Sequence, residues 1–137
     1  MRKISGLLIL ISCAVLLTAT NCKKACMAGS GGEVSITFKP EHHTIPIYGS
    51  SSYVDTVYIK FNQTDFPGPS PSNYDLIVAG NPNENFVKVN GLKCGQYFVF
   101  VVGFDTSAVW NTRVVGGLPI DFSETSGEKT VIVPVSE

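Results

Sequence analysis

The sequence predicts an all-β fold: a single antiparallel β-sandwich of about seven strands, with a small β-barrel as the alternative. Three observations predict it. Apolar residues recur with a period of two rather than 3.6, the runs are separated by clusters of Gly, Pro, Asn and Ser, and no stretch beyond one turn reads as an amphipathic helix. Short strands punctuated in this way belong to sandwiches and small barrels.

The chain opens on Met1-Arg2-Lys3 and then runs uncharged from Ile4 to Leu17. A basic start followed by about 7–15 apolar residues is the pattern of a secretory signal peptide. Polar Thr18, Thr20 and Asn21 end the run before the ~20 apolar residues that a spanning helix needs. Residues 1–21 are therefore read as a leader.

The stretch Leu17-Thr18-Ala19-Thr20-Asn21-Cys22 resembles the lipobox of bacterial lipoproteins, although Asn21 stands where a small residue is usual and Ala19 where Leu is usual. The resemblance implies a diacylglycerol on Cys22 and a palmitate-bearing N-terminus anchored in a membrane. Leu10-Ile11-Ser12-Cys13 fits the motif more closely but would shorten the apolar run to about eight residues, the lower limit for a leader. Position favours Cys22. Cleavage without lipid near Ala28 is the remaining alternative.

Cleavage at Cys22 leaves 116 of the 137 residues, the size of one domain. Arg2 and Lys3 leave with the leader, so 8 basic residues face 11 acidic ones, a net charge of about −3. No basic stripe exists to hold nucleic acid. With Cys13 removed and Cys22 acylated, Cys26 and Cys94 are left, and two thiols in an oxidising compartment most simply pair. The alternative is a free Cys26 in a loose tail.

Residues 22–32 contain Ala28-Gly29-Ser30-Gly31-Gly32 and are expected to form a flexible tether. The domain is expected over 33–137. Val34, Ile36 and Phe38 alternate with polar residues as a half-buried strand that Pro40 should stop. Glu41 to Ser52 reads as a long connection, with a short strand at Thr44 to Tyr48. Tyr53 to Asn62 is the next clear strand, and the three prolines of Phe66 to Ser72 prevent a ladder. Tyr74 to Ala79 and Glu84 to Val89 are short strands, and Asn90-Gly91 marks a turn. Gln96 to Phe104 is apolar on both faces and should be the central strand. Thr112 to Phe122, interrupted by Gly116-Gly117 and Pro119, is a bulged edge strand or two short ones. Lys129 to Val135 closes the chain, and Ser107 to Asn111 has room for one helical turn.

The run Val89-Asn90-Gly91-Leu92-Lys93-Cys94-Gly95-Gln96-Tyr97 resembles the Gly-Leu-x-x-Gly-x-Tyr turn of transthyretin-like sandwich modules, which include collagen-adhesin B-type repeats and carboxypeptidase regulatory domains. The resemblance implies that Gly91 makes a tight turn, Leu92 plugs the core and Tyr97 starts the central strand. Cys94 stands where Pro is common. Val115-Gly116-Gly117-Leu118-Pro119 and Val133-Pro134-Val135-Ser136-Glu137 are similar to the C-terminal halves of small exported Bacteroidota lipoproteins. These likenesses speak to fold, and fold does not fix function.

Little in the sequence points to chemistry. Glu41-His42-His43 invites a metal, but neighbouring residues on extended chain point to opposite sides, so a solvated loop without metal is expected. The acids Asp55, Asp65, Asp75, Asp105 and Asp121 are scattered, and no nucleophile elbow or phosphate loop occurs. No enzyme, catalytic residue or cofactor is expected. Asp55-Thr56-Val57 resembles the short O-glycosylation motif of exported Bacteroidota proteins. Asn62-Gln63-Thr64 has the N-glycosylation pattern, which has no evident bearing on a bacterial chain. Trp110, in the polar segment 105–113, is expected to cap one end of the sandwich or to contact a ligand. The expected protein is thus a lipid-anchored cell-envelope module, sorted to an outer membrane by analogy because Lys23 and not Asp follows Cys22. Its contact loops would be Pro67 to Pro71 and Ser107 to Asn111, and its partner an envelope protein or, alternatively, a glycan.

Overall fold

The computed structural model describes residues 26–137. The expected leader, Cys13, the expected lipid site Cys22 and the first residues of the expected tether lie outside them. Eight strands follow in order: β1 (Ser30–His42), β2 (Ile45–Pro46), β3 (Thr56–Phe61), β4 (Leu76–Ala79), β5 (Val87–Leu92), β6 (Gly95–Asp105), β7 (Thr112–Phe122) and β8 (Ser126–Val135). The only helical element among the described residues is a 3-10 turn at Pro71–Asn73.

The strands form two sheets packed face to face. In the first, β8 runs parallel to β1 from Glu33 to His42, so antiparallel β5 and the two-residue β2 share β1's other side. The second has the order β4-β3-β6-β7, antiparallel throughout. The sheets meet at one corner, where Val115 and Ser136 exchange two backbone hydrogen bonds of 2.8 and 2.9 Å. No ladder joins β4 to β5. This is a sandwich and not a closed barrel.

Alternation places the core between the sheets. Val34, Ile36 and Phe38 from β1, Val57 and Ile59 from β3, and Tyr97, Val99 and Val101 from β6 are all fully buried there. Each such side chain contributes about 1.5–3 kcal/mol of hydrophobic stabilisation relative to exposure. The outer face of β6 is covered by a loop instead of a third layer. Phe98 and Phe100 lie under Phe66 and Tyr74, whose ring centroids are 5.3 to 6.0 Å from theirs. The proline-rich segment expected as a contact loop is held over that face. Asn73 donates to the Pro67 carbonyl (2.7 Å) and Tyr74 to that of Gly68 (2.9 Å).

Three expectations need correction. The tether ends earlier than Gly32: Ala28 is buried, its N–H donates to Asn62 Oδ1 (3.0 Å), and β1 starts at Ser30. Small residues here allow close packing; at Gly32 a Cβ would collide with the backbone of Leu92. Pro40 does not stop β1. Its carbonyl accepts from Ile47 N (3.2 Å), so its missing N–H faces the gap between the β5 ladder, which ends at Phe38, and the β2 ladder, which starts at Glu41. Finally, Gly116-Gly117 and Pro119 leave β7 whole. All of it pairs with β6 in unbroken register, and Gly116 has no Cβ to block the Pro134 carbonyl.

Candidate functional site

β1 and β6 run the length of the two sheets, and their ends define the ends of the sandwich. At the start of both strands lies the Cys26–Cys94 disulfide, with Cα atoms 5.1 Å apart. Gly91 has φ 77°, Leu92 is fully buried, and Tyr97 packs in the core while its hydroxyl donates to the Lys93 carbonyl and accepts from Gly29 N (3.1 Å).

At the other end the inward series of β1 continues past Phe38 through Pro40 to His42, and that of β6 past Val101 through Gly103 to Asp105. The two polar residues therefore meet where a core pair would otherwise stand. His42 Nδ1 lies 2.8 Å from Asp105 Oδ2, and Nε2 lies 2.8 Å from Glu137 Oε2. Asp105 also accepts from Ser107 N (2.8 Å). His42 is 2 % exposed.

These contacts set the charges. The hydrogen bond to Asp105 raises the His42 pKa above the usual 6.5; burial opposes this and Glu137 adds to it. Burial alone would lift the Asp105 carboxyl, but hydrogen bonds from His42 and Ser107 outweigh it and hold the pKa below 3.8. Below its raised pKa the imidazole is thus an imidazolium, donating one N–H to each carboxylate.

His43 and Thr44 form the two-residue link between β1 and β2. Both have positive φ, 51° and 67°. Two-residue hairpins need that twist, normally supplied by Asn or Gly, and a non-glycine residue there costs of order 1–3 kcal/mol. The turn folds the His43 ring back to 4.3 Å from that of His42, between centroids. The two imidazoles do not point to opposite sides, because the chain is not extended at His43. Only His43 is in an exposed turn as expected; His42 ends a strand and is buried.

Trp110 stacks on His43 (4.4 Å between centroids, 25° between planes) and meets His42 edge-on at 5.2 Å. It sits on a turn closed by Asn111 N to Ser107 O (3.0 Å), not on a helix. Trp110 is 41 % exposed, so it covers the histidines with part of its surface and offers the rest to solvent. With Ile45, Pro46, Tyr48, Ser107 and Val109 it lines a groove of about 280 Å³ whose wall includes Asp105.

Asp55 lies beside Gly103 together with Ile47, which lines the groove; sequence reasoning read it as one of several scattered acids and as part of a modification motif. It is 2 % exposed, and neither carboxyl oxygen has a hydrogen-bond partner among the described residues. Burial pushes its pKa up to about 7. Gly103 and Ile47 adjoin it; a Cβ at Gly103 would strike Asp55 Oδ1. The neighbouring Thr56 is half-buried at the start of β3.

Parity along β1 was the signal that sequence reasoning left unused. His42 follows Val34, Ile36, Phe38 and Pro40 at even spacing, and only the assumed break at Pro40 hid it. Nothing local could have announced Glu137 as its second partner.

Fold and site define an all-β, disulfide-linked sandwich with a polar aromatic groove at the end remote from its bridge. No family model matches the chain, and no curated protein matches it. Among solved structures, the crystal structure of a DUF4876 family protein from Bacteroides thetaiotaomicron is similar to it, with 19% sequence identity and a TM-score of 0.43. The match covers 76% of this chain and 24% of that one, so this chain spans about a quarter of the length of that protein.

Proposed function

We propose that this chain is a lipid-anchored protein of the cell envelope, a non-catalytic interaction module of transthyretin-like type that presents its His42–Trp110 end away from the membrane. The observation that carries the reading is the position of the bridge. Cys22 precedes Cys26 by four residues, a reach of at most about 14 Å, so a lipid on Cys22 would hold the bridged end against the bilayer. The groove lies at the far end of β1, roughly 40 Å away along a strand of this length. A disulfide closing a 68-residue separation suits an oxidising compartment. Sorting to an outer membrane follows from Lys23 by analogy.

Palmitate labelling of the wild type and of Cys22→Ser tests the anchor. The reading expects label and membrane association in the wild type alone; equal incorporation in both contradicts it.

One observation favours a second reading, carbohydrate binding: a half-exposed indole borders a groove that also offers the Ser107 and Asp105 polar groups. His43 already occupies one face of that indole, which leaves less of it for stacking on a sugar. A glycan array decides. A signal lost in Trp110→Ala supports the second reading, and no signal, or one unchanged by the substitution, removes it.

A further inference from the structure

We propose that His42 Nε2, one imidazole nitrogen of His43 and the side-chain carboxylate of Glu137 form a three-ligand site for a zinc-class divalent metal ion, open at its fourth position. This inference is independent of the lipid anchor. The three donor atoms all lie within 4.8 Å of one another. Ligands at about 2.0–2.2 Å from a tetrahedral zinc stand roughly 3.3 Å apart. The ion takes the place of the proton that Nε2 shares with Glu137, and that proton leaves to solvent. The 2.8 Å between them opens by a few tenths of an ångström, and His43 and Glu137, both exposed, are the movable members.

The surroundings are those of a metal-ligating histidine. Such a residue usually donates its second ring N–H to a carboxylate, which fixes the tautomer and aims the other nitrogen at the ion. His42 is buried with Nδ1 on Asp105, and Asp105 is itself fixed by Ser107 N. Trp110 orients His43 by stacking. The left-handed turn at His43 and Thr44 has a consequence that a relaxed strand could not have: it brings two consecutive histidines to the same side.

The donor set selects the class of ion. Two imidazoles and one carboxylate suit zinc, copper(II) or nickel, whereas calcium and magnesium prefer oxygen-only shells. Both described cysteines are joined in the bridge at the other end, so no thiolate competes among the described residues. Asp105 and Glu137 together carry two negative charges against the two positive charges of the ion.

The test is isothermal titration calorimetry of zinc chloride into the full protein, purified without a histidine tag and stripped with chelator. We expect one equivalent bound at micromolar affinity or tighter. Asp105→Asn should weaken binding by about 10–100-fold, and His43→Ala and Glu137→Gln by more. His43 and Glu137 are exposed, so these two variants keep the fold, as a melting temperature near that of wild type will show. X-ray absorption of the zinc form should give a shell of nitrogen and oxygen only. Absence of saturable binding, unchanged affinity in both exposed-ligand variants, or sulfur in the shell would each overturn the proposal.

Discussion

The two ends of this sandwich are built from the same strands to opposite effect. At the bridged end, β1 and β6 begin among Ala28, Leu92 and Tyr97, all buried, with a covalent link between Cys26 and Cys94. At the far end the same two strands place His42 and Asp105 in the inward positions, next to two residues in left-handed conformation and a half-exposed tryptophan. The first end does what a fold requires. The second keeps charge, strain and exposed aromatic surface that a stable core would avoid, and local departures of this kind concentrate at functional sites.

The largest effect should come from the bridged end. Cys26→Ser with Cys94→Ser, or reduction, should lower stability by about 4 kcal/mol in the chain-entropy account of a 68-residue loop. Denaturant unfolding measures it. A loss well under 1 kcal/mol would mean that this end does not depend on its link.

The far end should respond to pH. His42, with a raised pKa, contributes fully below its unfolded value of 6.5 and loses that contribution as pH rises through the folded value. Asp105, with a lowered pKa, contributes above its unfolded 3.8 and loses it as pH falls. Their joint contribution is therefore greatest between about pH 4 and 6.5, and His42→Ala should cost about 3 kcal/mol there, chiefly by leaving Asp105 buried and unpaired. A cost that does not shrink as pH rises above 6.5 and through the folded value would contradict the charge assignment.

Asp55 works in the opposite sense. Its folded pKa of about 7 lies above the ordinary 3.8, so the folded state is increasingly penalised as pH climbs between the two. Asp55→Asn should then stabilise by about 2 kcal/mol at pH 8 and by little at pH 4. Melting curves at both values check the difference. The smallest effect belongs to the strained turn: Thr44→Gly should stabilise by about 1 kcal/mol, the relieved strain less the greater chain entropy that glycine loses on folding.

How much of each end could be read in the sequence follows from the kind of information each uses. Strand existence was legible because the pattern is local: β1, β3 and β8 carry their apolar residues on one parity, and β6 is apolar on both faces. Asn90-Gly91 read as a turn but lies inside β5, where Gly91 has positive φ, and the burial of Leu92 was expected only from the resemblance. The Cys26–Cys94 pairing followed from counting. The far end was not legible, because it depends on partners 63 and 95 residues away from His42. Pro40 also resembled a strand stop, since only the sheet shows that its missing N–H falls between two ladders. His43 and Thr44 carry no turn signature, so the conformation that gathers the imidazoles could not be foreseen from their identities.

The contrast between the ends rests most directly on one contact, His42 to Asp105, and a double-mutant cycle with His42→Ala and Asp105→Ala at pH 5.5 measures it. A hydrogen-bonded charge pair in this position predicts a coupling energy of about 2 kcal/mol. Additivity within about 0.3 kcal/mol would mean that the two side chains stabilise the protein independently, and the far end would no longer be a built site.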